Sequence, residues 1–146
     1  MRRRPAAIGL ALTGGTLLLF AVKGYLSFLT VVHLGGRDLA SNYAFTWLME
    51  QNLLHGELLR WSNRWMLGFP SFAFYPPLFF LFVAGLHLLT GQLVPLLAWF
   101  RLVVFGSLLF VPATTYWSFR DTVGDTAAVF AGLHTSLFLF VYPPVS

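Results

Sequence analysis

RRRPAAIGLALTGGTLLLFAVKGYLSFLTVV, residues 2–32, opens the chain with three arginines and then an almost unbroken apolar run. A helix needs roughly 20 apolar residues to cross a bilayer, so Ala6 to Val32 is long enough to span one. Basic residues beside a first apolar helix stay on the cytoplasmic side. Arg2, Arg3 and Arg4 therefore set the N-terminus in the cytoplasm and the segment that begins at His33 outside. A cleavable signal peptide shares the basic start and the apolar run. Against it, the run exceeds a usual signal h-region and no small-x-small cleavage site closes it cleanly. Lys23, near the outer end of the run, either snorkels to the headgroups or marks a functional site within the membrane.

The rest of the chain has the same character. Hydrophobic residues make up 58% of the 146 and charged residues 10%, against roughly 25% charged in an average soluble domain. The mean hydropathy is +0.75. Apolar runs this long and this numerous exceed what so small a globule can bury, so lipid has to cover much of the surface. The net charge of +4 does not point to nucleic acid, because three of the nine basic residues are the N-terminal arginines. With no cysteine in the chain, there is neither a disulfide framework nor a thiolate site.

Residues 33–75 form an external loop in this reading, and three of the five acids fall in it: Asp38, Glu50 and Glu57. Leu39 to His55 has helical character, with Tyr43, Trp47 and Leu54 on one face and Gly56 as a stop. The spacing predicts a helix over 39–55 lying on the membrane surface. Trp61, Trp65, Phe69, Phe72, Phe74 and Tyr75, interleaved with Arg60, Asn63 and Arg64, read as an interfacial aromatic belt.

Pro76 and Pro77 can open a helix over 76–90, which Gly91 and Pro95 then interrupt. At about 1.5 Å per residue it reaches only some 22 Å, which favours a re-entrant or interfacial helix over a full crossing. His87 within it reads as a hydrogen-bonded packing residue, since no partner sits at metal-ligand spacing. Leu96 to Phe119 is a full-length span, with Arg101 near one end and a kink expected at Pro112. After the polar break Arg120, Asp121, Thr122, Gly124 and Asp125, a last span covers 126–142, with Asp125 capping its start. Pro143 and Pro144 stop it. If 76–90 is re-entrant, the break at Arg120 is cytoplasmic; if it spans, that side is reversed. The chain stops straight after this helix with no closing polar tail, and the expectation is an N-terminal portion of a longer protein.

Glycine-rich phosphate loops, His-Glu-x-x-His and Gly-x-Ser-x-Gly patterns are all missing from the sequence. What remains is Asp38, a carboxylate just outside the first span. It is well placed to cap the following helix and be stabilised by the helix dipole. The other reading is that it acts as general base toward an acceptor hydroxyl, or holds a divalent cation. Arg60 and Arg64 can grip a lipid phosphate through the planar guanidinium fork, or simply contact headgroups.

Gly36-Arg37-Asp38-Leu39, Asn52-Leu53-Leu54-His55-Gly56-Glu57, Arg60-Trp61, Gly68-Phe69-Pro70 and Tyr75-Pro76-Pro77-Leu78 fall in an order that resembles one membrane family. It is the multi-spanning "6-pyruvoyl-tetrahydropterin synthase-related" membrane domains. The zinc-binding histidines of the soluble synthase are not visible, and nothing suggests pterin chemistry. The plan is similar to the GT-C superfamily of membrane glycosyltransferases, in which the first external loop carries a catalytic acid shortly after the first span. The resemblance implies an all-α, polytopic fold with amphipathic juxtamembrane helices in the external loop. It makes Asp38 the catalytic acid, with Arg37, Arg60, Arg64 and Tyr75 around the substrate and a polyprenyl-phosphate-linked sugar as donor. Leu39 stands where many GT-C enzymes carry a second acid beside the first, which leaves the metal open. The other expectation is a non-catalytic membrane protein, such as a scaffold, a degenerate family member or part of a transporter, in which Asp38 only caps a helix. In either case the chain is expected to be a multi-pass protein of the plasma membrane, partnered by the lipid bilayer.

Overall fold

The computed structural model describes residues 4–30, 37–58, 61, 62, 69, 70, 72 and 76–141. Five α-helices carry the fold: α1 Arg4–Val22, α2 Arg37–Leu54, α3 Leu78–Leu89, α4 Leu96–Val123 and α5 Asp125–Val141. A short 3-10 helix covers Tyr25–Leu29. Between α2 and α3, two-residue strands β1 Trp61–Ser62 and β2 Phe69–Pro70 pair antiparallel, Trp61 opposite Pro70. The chain divides into two compact units, one of residues 1–32 and 104–146, the other of residues 33–103.

In the first unit, α1 follows the apolar run from Pro5, a residue tolerated in a first helical turn. Its 19 residues make about 28 Å at about 1.5 Å per residue. The expected single helix over 6–32 is interrupted at Gly24, whose φ of 75° is left-handed. Such a glycine closes a helix with little steric cost, and the chain re-enters as the 3-10 turn. Residues 31 and 32 lie outside the described residues.

Thr13 and Thr16 are tolerated in so apolar a helix because each hydroxyl bonds back to the carbonyl four residues earlier, at 3.0 and 2.8 Å. Thr16 also meets Ser136 of α5 at 3.0 Å, with both side chains buried. Leu12, Tyr116 and Ala128 form the small core of this unit, flanked by Ile8 and Val129. Gly132 lets α5 come close: a methyl built there would lie 2.8 Å from Leu12 Cδ1 and 3.0 Å from the Pro112 carbonyl oxygen. Between α4 and α5 the turn is made by Gly124, with φ 86°. Asp125 is the first residue of α5, and Tyr116 donates to its Oδ1 at 3.1 Å. Pro112 lies inside α4, which continues through it to Val123, beyond the expected end at Phe119.

In the second unit α2 packs on α3. The core is Phe45, Leu48, Met49, Phe72, Phe80 and Ala84. Phe45, Phe72 and Phe80 form a three-ring cluster with centroids 5.6–6.0 Å apart. Phe72 is held in that cluster with a φ of 70°, a backbone conformation that a bulky residue adopts only when its surroundings over-determine it. Of the expected face of Tyr43, Trp47 and Leu54, Trp47 packs against this core. Phe45, Leu48, Met49 and Asn52 are buried at helical spacing, while Leu54 is 55% exposed. α2 buries the polar residues Thr46, Glu50 and Asn52 as well as apolar ones, which hydrophobic periodicity alone does not register.

Two helices, α1 over Pro5–Val22 and α4, are long and apolar enough to cross a membrane by length and composition. Only 22% and 33% of their apolar windows is buried, so most of that surface faces outward, including Leu10, Leu18, Val22, Leu102 and Phe110. Helix α3, at 12 residues, is about 18 Å long, well short of a hydrocarbon core of about 30 Å.

The close approach at Gly132 gives a direct test of this packing. Gly132→Ala should destabilise the detergent-solubilised chain by about 1–3 kcal/mol through overpacking. Gly14→Ala, with open space around the position, should be neutral or stabilising by up to about 1 kcal/mol because alanine favours helix. Thermal unfolding of both variants beside the parent reads the difference, and equal effects would refute it.

Candidate functional site

Of the residues expected around a substrate, Asp38 is the one whose side chain is described. It sits in the first turn of α2, its carboxylate is exposed, and among the described residues no side chain pairs with it. The helix begins at Arg37, so Asp38 is inside the first turn and not ahead of it. There the N-terminal end of the helix dipole stabilises a negative charge without a capping hydrogen bond. Arg37 opens α2, but its side chain lies outside the described residues, as do Arg60, Arg64 and Tyr75. Among the described residues no three His, Asp or Glu side chains converge as a metal site.

The polar centre of the second unit lies elsewhere. His87 Nδ1 and Glu50 Oε1 are 2.6 Å apart, both residues buried, across 37 positions of sequence. With Glu50 as a carboxylate, Nδ1 carries the hydrogen and donates it, which fixes the tautomer and ring orientation of the imidazole. Gln92 Nε2 approaches the same oxygen at 3.5 Å. Gln92 has a φ of 60° and follows Gly91, whose φ is 61°. Its backbone N–H donates to the His87 carbonyl at 3.1 Å. The two left-handed residues thus close α3 and turn the Gln92 side chain back toward Glu50. Thr90 joins the same corner, accepting from Trp99 Nε1 at 3.3 Å.

Tyr43 and Arg101 complete the arrangement. The Tyr43 ring stands edge-on to Phe100 with centroids 5.7 Å apart. Burial pushes the Tyr43 phenol above its ordinary value of 10.0; the Glu50 charge adds to the rise and the Arg101 charge opposes it. Arg101 is 6% exposed, and its Nε and Nη2 have no hydrogen-bond partner. The described polar interior of this unit therefore sets one acid and one guanidinium near a phenol that stays neutral at physiological pH.

The sequence placed His87 as a hydrogen-bonded packing residue, and the structure supplies its partner. It did not single out Glu50 or Arg101. Arg101 carried a readable mark, an ionisable residue within an otherwise apolar helical stretch, where a charge is retained only if paired or functional; Glu50, followed by Gln51 and Asn52 in a mixed helix, carried none.

The first unit has an open apolar groove of about 580 Å³ between α1 and α5, lined among others by Ala11, Gly15, Leu18, Val129 and Leu133. Comparison with protein-family models, with curated proteins and with solved structures gives no match to this chain.

Two measurements check the polar centre. A double-mutant cycle of Glu50→Gln and His87→Phe should give a coupling of about 0.5–3 kcal/mol, and independent effects would mean the hydrogen bond does not hold α2 to α3. For Tyr43, the folded-state pKa lies above the unfolded one. Its contribution to stability is then fully present below the ordinary value and is lost as pH rises through the folded value. Alkaline unfolding curves of Tyr43→Phe should therefore be flatter above about pH 10 than those of the parent.

Proposed function

We propose that this chain forms part of a multi-pass membrane protein with the GT-C glycosyltransferase plan, and that Asp38 is its general base. The observation that carries the reading is an exposed carboxylate, in the first turn of a helix that follows a membrane-length apolar helix, with no partner among the described residues. In this reading the N-terminal arginines hold the start of the chain in the cytoplasm of a plasma membrane and α2 lies on the outer side. The acceptor hydroxyl loses its proton to the Asp38 carboxylate as its oxygen attacks the anomeric carbon. The polyprenyl phosphate leaves with the bonding electron pair. Arg37, Arg60, Arg64 and Tyr75 are the proposed contacts to that substrate. The resemblance in the external loop adds support.

A second reading, a non-catalytic scaffold or transporter part, is favoured by one feature: the first turn of a helix is where an aspartate is stabilised with no chemistry at all. The profile of lipid-linked sugars in cells separates the two. Asp38→Asn in the protein as expressed, at matched membrane abundance, should change that profile, with loss of transfer of about 10²-fold or more if a general base is removed. An unchanged profile with lower thermal stability assigns the aspartate to the helix alone.

The topology has its own test, helped by the absence of native cysteine. His55→Cys should react with a membrane-impermeant maleimide added outside intact cells. Thr122→Cys should react only after permeabilisation if α3 is re-entrant, and from outside if α3 crosses.

A further inference from the structure

We infer that Arg101 forms, with Tyr43 beside it, a binding site for a phosphate-class oxyanion at the start of α4.

Three observations lead there. The first is burial without satisfaction. A guanidinium that is 6% exposed has given up its hydration, and its Nε and Nη2 hydrogens find no acceptor. A buried charge is tolerated when its remaining protons are hydrogen-bonded and is strongly destabilising when they are not.

The second is which nitrogens are left over. Nε and Nη2 form one edge of the guanidinium, two parallel N–H groups at the spacing that a phosphate or carboxylate accepts in bidentate fashion. A complete fork is therefore unpaired, and not two unrelated hydrogens.

The third is that none of the acidic side chains fills it. All five acids of the sequence, Asp38, Glu50, Glu57, Asp121 and Asp125, are among the described residues, and none accepts from either nitrogen. Glu50, the acid that acts on Tyr43 together with Arg101, has its Oε1 taken by His87 and Gln92.

The neighbourhood selects the anion. The Tyr43 ring stands edge-on to Phe100, the residue before Arg101, with centroids 5.7 Å apart, which brings its hydroxyl to this neighbourhood as the proposed third donor. Three donors suit a tetrahedral oxyanion better than a planar carboxylate. Arg101 is also five residues into α4, about 8 Å along the helix, which is headgroup depth for a span that begins near Leu96. A lipid headgroup phosphate and a free phosphate both meet this chemistry. The site stands on Arg101 and does not depend on Asp38 being a base.

The test uses the full chain in uncharged maltoside micelles, with binding followed by calorimetry. The probes are dihexanoyl phosphatidic acid and inorganic phosphate, with dihexanoylglycerol as the phosphate-free control. Saturable binding of phosphatidic acid but not of inorganic phosphate assigns a lipid headgroup, and binding of both assigns free phosphate. In either case Arg101→Lys, which keeps the charge and loses the fork, should weaken binding at least about tenfold, and Tyr43→Phe should weaken it severalfold. If neither phosphate probe binds the parent chain, the site does not exist. Binding of the control as tightly as phosphatidic acid, or equal binding by Arg101→Lys and the parent, overturns it equally. Should Arg101→Lys fail to fold, the parent's probe selectivity and Tyr43→Phe still decide, and an unchanged affinity in Tyr43→Phe would then count against the site.

Discussion

His87 and Glu50 share a 2.6 Å hydrogen bond inside a chain that is mostly hydrocarbon, and the second unit is arranged around it. Both residues are buried, so removing either leaves the other with no water to turn to. The contact joins the last turn of α3 to the final third of α2. It fixes which way α3 is rotated, and with that rotation come Phe80 and Ala84 against Phe45 and Met49. The left-handed pair Gly91 and Gln92 belongs to the same construction, since it ends α3 and sends a side-chain amide back to the shared carboxylate.

The first unit solves its polar problem locally. Thr13, Thr16, Thr135 and Ser136 each return their hydroxyl to a carbonyl four residues earlier. A hydroxyl satisfied within its own helix turn can face an apolar neighbour or lipid at little cost. The exchange between helices there, Thr16 with Ser136, is of the kind worth about 0.6 kcal/mol on average in a membrane bundle. Close approach at Gly132 therefore contributes alongside it. The two units illustrate the two ways an apolar chain keeps polar groups: hydroxyls satisfied by the backbone, and charges satisfied by a distant partner.

That division decides where chemistry can reside. Hydroxyls closed on their own carbonyls have spent their one hydrogen and keep only lone pairs for a further partner. Arg101, whose Nε and Nη2 hydrogens are neither solvated nor paired, is available, and so is the exposed carboxylate of Asp38. One is buried and the other exposed, so the oxyanion proposed for the first and the acceptor hydroxyl proposed for the second would meet the chain in different surroundings.

The amino-acid sequence alone determined the helical plan, because apolar run length and helix-ending residues act locally. Gly24, Gly91 and Gly124 each end a helix through a left-handed turn, and Pro95 and Asp125 stand at the next starts. α3 over Leu78–Leu89 and α5 over Asp125–Val141 fall within two residues of the expected bounds. The departures are also physical. A 3-10 turn replaced the end of the first long helix because one glycine took a positive φ, and α4 ran on to Val123 because the polar residues from Arg120 can continue a helix into water. What only the tertiary structure decided is the pairing of charges. Glu50 and His87 are 37 residues apart, and their meeting depends on the rotation and register of two helices, which no local pattern encodes. The unpaired fork of Arg101 is likewise a property of what surrounds it, since an unpaired buried hydrogen exists only once every neighbour has been placed.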